Sequence, residues 1–122
     1  MTIDLSRDLK PENVVLKNNE LKLTDFGFAK ALTSGRQMTH TVIGSPLYMS
    51  PQLLTKQPYS SKCDVWSVGI IFYEMVVGMH PWKANSMMDL RKAVLETPTV
   101  KFPGDVQISD GVKIFIQMCL QF

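Results

Sequence analysis

Four polar residues near the start of the chain, Asp8, Lys10, Asn13 and Asp25, have types and spacing suited to chemistry on a phosphate. Between the last two, Val14-Val15-Leu16 and Leu21-Lys22-Leu23-Thr24 read as brief strands around the polar turn Lys17-Asn18-Asn19-Glu20, a hairpin signal. Antiparallel strands return the chain to its starting edge, so the residue before the first strand and the one after the second lie side by side, about 4.8 Å apart. That sets the Asn13 amide oxygen beside the Asp25 carboxylate. Both are hard ligands suited to Mg²⁺, which keeps coordination positions for phosphate oxygens and water. Asp8, on the same loop as Asn13, is close enough to accept a proton from a hydroxyl aimed at that phosphate. Lys10 could neutralise charge on the transferring group.

Taken singly, these residues have plainer roles. Asp8 would pair with Arg7 or cap a turn, Asn13 would mark a strand entry, Asp25-Phe26-Gly27 an ordinary strand exit, and Lys10 a solvated lysine. Their order and spacing together carry the phosphate reading.

The elements that must hold them belong to an ordinary globular chain. Its 122 residues, 45% hydrophobic and 20% charged, fit one domain with one core and exclude a disordered or collagen-like chain. Thirteen basic residues against eleven acidic ones leave a formal charge of +2 without any basic cluster, which disfavours nucleic acid or an anionic membrane as the main partner. Cys63 and Cys119 sit in apolar runs outside any CxxC pair, so neither a disulfide framework nor a zinc site is expected and a reducing compartment is the default. The N-terminal residues hold no apolar signal-like run, and the longest apolar stretch, Val65 to Val77, is shorter than the roughly 20 residues that span a bilayer. The chain reads as a soluble protein of the cytoplasm.

From Asp25 to about Thr55 no hydrophobic period is sustained, and a structureless stretch of that size in a compact domain is expected to be a functional loop. Helix signals fill the rest. Ser61 with Asp64 has the capping-box form and opens a helix over about 61–77 that Gly78 closes. Val65, Trp66, Val68, Ile70, Ile71, Phe72, Met75 and Val76 occupy nearly every face, so this helix is expected to be buried all round. Ser86 with Asp89 opens a second helix over about 86–96. A third begins near Ser109 and runs to Phe122 without a polar stop, as a helix cut in its middle.

With these residues in this order the chain resembles the C-terminal lobe of a eukaryotic protein kinase. Ser6-Arg7-Asp8-Leu9-Lys10-Pro11-Glu12-Asn13 matches the pattern H-R-D-L-x-x-x-N at every specified position except the first, where Ser6 replaces His, and D-F-G follows intact at Asp25-Phe26-Gly27. Gly44-Ser45-Pro46-Leu47-Tyr48-Met49-Ser50-Pro51-Gln52 is similar to the substrate-docking loop with its A-P-E ending, and Asp64-Val65-Trp66-Ser67-Val68-Gly69 to the start of the central buried helix. The resemblance covers essentially the whole chain. It implies a mainly α fold with a small β-hairpin, a kinase C-terminal lobe with the N-terminal lobe absent. Residues 1–122 would form a partial kinase domain with a catalytic loop at 6–13, a metal-binding and activation segment at 25–52, and the three helices.

The same resemblance implies Asp8 as catalytic base, Lys10 on the γ-phosphate of ATP, and Asn13 and Asp25 as ligands of Mg²⁺, with Phe26, Gly27, Ser45 and Asp64 in structural support. Thr41 matches a common site of activating phosphorylation, with Arg7 as the partner of the phosphate. Lys10 in Asp-Leu-Lys-Pro-Glu-Asn, and Ser45 after Gly44, resemble the serine/threonine branch. Gly-Ser-Pro-Leu-Tyr-Met followed by Pro-Tyr-Ser-Ser-Lys-Cys-Asp looks most like the autophagy-initiating kinases. The implied partners are ATP, a protein with a Ser or Thr acceptor, and a partner chain for the exposed face of the lobe.

Three departures shape the expected activity. Ser6 leaves volume beside Phe26 where the family packs a His. Gln52 replaces a Glu whose Arg partner would lie beyond Phe122, and the neutral amide avoids an unpaired buried charge. No G-x-G-x-x-G and no V-A-I-K-like strand occurs within the 122 residues. Phosphoryl transfer depends on positioning plus electrostatic stabilisation, and half of both is missing from these residues. The alternative is a binding module that docks partners on the helical lobe without catalysis. A small-molecule phosphotransferase would share an Asp-x-x-x-x-Asn loop but leave Gly44 to Gln52 without a reason. The chain expressed alone is therefore expected to give no measurable phosphorylation. Robust ATP-dependent labelling of a generic substrate, lost in Asp25→Ala, is the opposite outcome.

Overall fold

A computed structural model of the chain describes residues 4–5, 9–24, 30–31 and 46–121, the short segments 4–5 and 30–31 by their backbone. In chain order its elements are β1 (Asp4–Leu5), a 3-10 turn (Pro11–Asn13), β2 (Val14–Lys17), β3 (Glu20–Leu23), β4 (Lys30–Ala31), a second 3-10 turn (Pro46–Tyr48), and helices α1 (Pro51–Leu54), α2 (Lys62–Val77), α3 (Met87–Glu96) and α4 (Asp110–Cys119). The described fold is thus mainly helical, with two small antiparallel sheets, β1 with β4 and β2 with β3. Among the described residues no helix is long and apolar enough to cross a membrane.

The hairpin closes more tightly than the sequence suggests. Val14 pairs with Leu23 and Lys17 with Glu20, which leaves only Asn18 and Asn19 in the turn. Their φ angles of 54° and 61° are the left-handed pair that a type I′ turn requires, and Asn is among the few residues that accept them. At the open end of the hairpin Thr24 donates its N–H to the Asn13 carbonyl at 2.8 Å; Asp25 lies outside the described residues.

The core is built on α2. Ile70 is fully buried (0% exposed), and Trp66 and Tyr73 flank it on the same helix. Trp66 stacks on Trp82 with ring centroids 5.5 Å apart and planes 7° from parallel. The polar tips of these large side chains find backbone partners, as burial demands: the Trp82 indole N–H donates to Thr97 O at 2.9 Å and the Tyr73 hydroxyl to Lys101 O at 2.7 Å. Those two bonds tie the chain after α3 to the loop that follows α2 and to α2 itself. Leu90 and Val94 from α3 and Ile116 from α4 complete the cluster.

Four expectations need correction. The first concerns α2, which is not buried all round. Val65, Phe72 and Met75 are exposed, Met75 by 73%. Packing with α4 on one side and the Pro46–Tyr48 turn on another leaves this stripe uncovered among the described residues. Phe72 meets Phe115 of α4 edge-on there, with centroids 5.0 Å apart.

The second correction is at the start of α2. Ser61 is not a capping side chain, because its backbone is already helical (φ −56°, ψ −17°) and capping needs an extended residue. Ser60 does the work, its Oγ accepting from Lys62 N at 3.4 Å and its carbonyl from Cys63 N at 3.0 Å. At α3 and α4 the Ser86 and Ser109 side chains do cap, accepting from Asp89 N and Val112 N.

Third, α4 ends at Cys119 and does not run to Phe122. What stops it is tertiary: Leu120 is buried, and its side chain is packed over Gly69 of α2. Fourth, the stretch from 25 to 55 is not structureless throughout, since it holds the Pro46–Tyr48 turn and α1.

Gly69 is a point of tight approach between α2 and α4. A Cβ there would stand 2.7 Å from Cys119 Cβ and 2.8 Å from Leu120 Cδ2. Alanine would gain about 1 kcal/mol in helix propensity, but overpacking costs about 1–3 kcal/mol, and the Cys119 contact is to a stem atom that cannot swing away. Gly69→Ala is expected to lower stability by up to about 2 kcal/mol, read as a lower urea midpoint with unchanged slope. An unchanged or higher midpoint would mean that the helices separate freely.

Candidate active site

The segments that carry the candidate catalytic residues are fastened at both ends. One runs from β1 to β2 and holds Asp8, Lys10 and Asn13; the other runs from β3 to β4 and holds Asp25. At one end Leu5 pairs with Lys30. At the other Asn13 O accepts from Thr24 N. Two antiparallel pairings therefore bracket the two connections.

Local sequence explains the described part of the first segment. Lys10 precedes Pro11 and is extended (φ −149°, ψ 160°), as a residue before proline must be. Pro11 then starts the 3-10 turn, where its missing N–H costs nothing. The turn closes with Asn13 N donating to Lys10 O at 2.9 Å. It leaves Lys10 half-buried and Asn13 buried, at 8% exposure, and the preceding Leu9 is buried as well. A buried amide at a strand entry is a fixed hard donor, which suits a metal-ligand role.

The candidate docking segment is held to α2 by a set of polar contacts. Ser50, 1% exposed, caps α1 with its Oγ near Leu53 N and donates to Cys63 Sγ at 2.9 Å. Burial pushes the Cys63 thiol up, partly offset by that hydroxyl. Ser67 Oγ donates to Tyr48 O at 2.8 Å. The Tyr48 hydroxyl donates to the Glu74 carboxylate at 2.6 Å, a short charge-assisted bond. Asp64 lies half-buried in the first turn of α2, where a carboxylate suits the helix N-terminus. Gln52 is half-buried on α1.

Of the residues singled out from sequence, Lys10 and Asn13 share one turn, and Asp64 and Gln52 sit on helices. Ser6, Arg7, Asp8, Asp25, Phe26, Gly27, Thr41 and Ser45 lie outside the described residues. Sequence reasoning missed the Tyr48–Glu74 pair and the hydroxyls of Ser50 and Ser67. A usable signal existed for Glu74: a lone acid within an apolar helix needs a hydrogen-bond partner. Nothing in sequence pairs it with Tyr48.

Burial raises the Tyr48 hydroxyl pKa well above that of an ordinary tyrosine, and the Glu74 carboxylate adds to this through its hydrogen bond and its charge, with a smaller push from the charge of Glu12. Burial raises Tyr73 as well. Because the folded state favours the protonated forms, their contribution is complete below the ordinary tyrosine pKa and is lost as pH rises above it. Because burial also raises the Cys63 and Cys119 thiols, the urea midpoint is expected to be level up to about pH 8.5, to begin to fall there, and to fall more steeply beyond about pH 10. Tyr48→Phe should cost about 1–2 kcal/mol at about pH 8 and flatten the alkaline slope. A slope identical in Tyr48→Phe would remove Tyr48 as its source.

With the geometry in place, comparison with known proteins is direct. The family model described as protein kinase domain matches residues 5–122. The chain is 43% identical over 105 residues to serine/threonine-protein kinase ATG1c of Arabidopsis thaliana, covering 83% of this chain and 14% of that protein. It is 43% identical over 114 residues to serine/threonine-protein kinase 36 of Pongo abelii, covering 93% and 8%. To serine/threonine-protein kinase fused of Drosophila melanogaster it is 42% identical over 118 residues, covering 96% and 14%. The chain thus spans under a fifth of the length of these relatives. With matched family residues running from Leu5 to Phe122 and several serine/threonine kinases among its relatives, the chain belongs to the protein kinase domain family.

Proposed function

We propose that this chain supplies the catalytic loop, the metal-binding segment and the docking loop of a serine/threonine protein kinase. The observation that carries the reading is the ordered set Arg7-Asp8-Leu9 with Asn13, Asp25-Phe26-Gly27, Gly44 to Gln52 and Asp64 to Gly69 within a chain matched to the family over 5–122. The pairing of Leu5 with Lys30 and of Asn13 with Thr24 at the ends of the two connections supports it. Residues 6–13, 25–52 and the helices then form a partial kinase domain corresponding to the C-terminal lobe.

In this reading Asn13 and Asp25 would hold Mg²⁺, and Mg²⁺ with ATP supplies the γ-phosphoryl group and offsets its charge. Asp8 orients the acceptor hydroxyl and takes its proton as the new bond from oxygen to phosphorus forms and the bond to the ADP oxygen breaks. Lys10 steadies the charge on the phosphoryl oxygens. Thr41 is the proposed phosphorylation site, with Arg7 as its partner. Phe26, Gly27 and Ser45 shape the loops, and Asp64 supports them from α2. The acceptor is a Ser or Thr of a protein met in the cytoplasm, and a partner chain covers the exposed face of the helices. Relatives named ATG1 favour the autophagy-initiating subfamily, although kinase 36 is equally similar at 43% identity.

Ser6 in place of the family His favours a second reading as a docking module without catalysis. One experiment separates the two. The chain is fused behind the N-terminal lobe of ATG1c of Arabidopsis thaliana, and the fusion is checked for a cooperative melt. The folded fusion should transfer radiolabel from ATP to a Ser/Thr peptide, and Asp8→Asn should reduce this about 10²–10⁴-fold. A folded fusion that labels nothing, or labels equally well with Asp8→Asn, contradicts the catalytic reading.

A further inference from the structure

After Gly78 ends α2 in the left-handed region (φ 82°), the chain turns back toward the docking segment at His80. The His80 Nε2 lies 2.7 Å from Leu47 O, and its Nδ1 lies 3.2 Å from Trp82 N and 2.8 Å from Trp82 O. A carbonyl oxygen only accepts, so Nε2 must carry a proton to meet Leu47 O at that distance. A ring protonated at Nδ1 alone would set two lone pairs against each other there. Nδ1 stands 2.8 Å from Trp82 O and 3.2 Å from Trp82 N, so it donates to the carbonyl when it carries a proton and accepts from the N–H when it does not; Leu47 O requires Nε2–H in either case.

Trp82 is itself immobilised by its stack on Trp66 and its bond to Thr97 O, so the imidazole is held from the core side. Its other nitrogen acts on the middle residue of the Pro46–Tyr48 turn. The next carbonyl, that of Tyr48, is held by Ser67 Oγ. Two consecutive carbonyls of one turn are thus gripped by side chains of α2 and of the loop after it, and Leu47 stays 37% exposed on the surface.

We propose that His80 is a positioning residue of the docking loop: its Nε2–H sets the main-chain path at Leu47 against which an acceptor peptide is laid. The role in peptide docking rests on the kinase reading; the contact itself does not. Sequence reasoning gave His80 no part, because 33 residues separate it from Leu47.

The test uses the 122-residue chain without nucleotide or peptide, so failure of this inference and failure of the kinase reading stay distinguishable. In chain labelled with ¹⁵N-histidine, the two residues His40 and His80 are told apart by the signal lost in His80→Gln. The expected His80 signature is a protonated, hydrogen-bonded Nε2; a neutral ring protonated at Nδ1 alone overturns the proposal. Amide exchange gives the second reading, at Met49, whose N–H closes the turn on Pro46 O. His80→Phe should speed this exchange at least about tenfold. His80→Gln, whose amide nitrogen restores a donor, should keep it near the native rate. The Leu120 amide, bonded to Ile116 O, should not change in either variant. Unchanged exchange at Met49 in His80→Phe, no rescue by Gln, or equal acceleration at Leu120 overturns the proposal. If His80→Phe does not fold, the native tautomer and the Gln variant decide.

Discussion

A helix as apolar as α2 has to be covered, and the rest of the described fold follows from how that is done. Each large side chain taken fully out of water, such as Ile70 or Trp66, stabilises the fold by about 1.5–3 kcal/mol, more than a typical neutral hydrogen bond contributes. Apolar burial alone has no preferred register. The order comes from where α2 is interrupted: Gly69 admits Cys119 and Leu120 of α4, Ser67 and Glu74 reach the 46–48 turn, and Cys63 receives the Ser50 hydroxyl.

These few polar contacts act mainly through the cost of breaking them. A satisfied neutral hydrogen bond adds about 1 kcal/mol, whereas a buried donor or acceptor left without a partner costs about 1–3 kcal/mol. Another seating of the turn would cost the Tyr48 carbonyl its Ser67 donor and the Ser50 hydroxyl its Cys63 acceptor, while Ser67 would keep the Cys63 carbonyl at 3.2 Å. The candidate docking segment is therefore specified by side chains of the core helix, while the turn bearing Lys10 and Asn13 is specified by Pro11 and by pairing with Thr24.

Much of this was legible in the sequence, for reasons that differ by element. The hairpin could be read because strands and a turn are local signals, and the core helix because its apolar run is long. Interactions that depend on tertiary placement could not. The exposed stripe at Val65, Phe72 and Met75 follows from which neighbours pack on α2, and the end of α4 follows from Leu120 docking on Gly69. Ser61 looked like a cap because its spacing to Asp64 is right, but the preceding Ser60 begins the helical turn first. For the site, motif order pointed to the family that the comparison finds. The hydrogen bonds between Tyr48 and Glu74 and between His80 and Leu47 join residues 26 and 33 apart, and no periodicity encodes them.

The central claim is that the docking segment and the core helix form one cooperative unit. It is tested most directly by following urea unfolding in the same samples through fluorescence of the stacked Trp66 and Trp82 and through amide exchange over residues 49–57. The account predicts a single shared midpoint, as in two-state unfolding. Loss of protection at 49–57 at lower urea, while the tryptophan signal stays native, would contradict it.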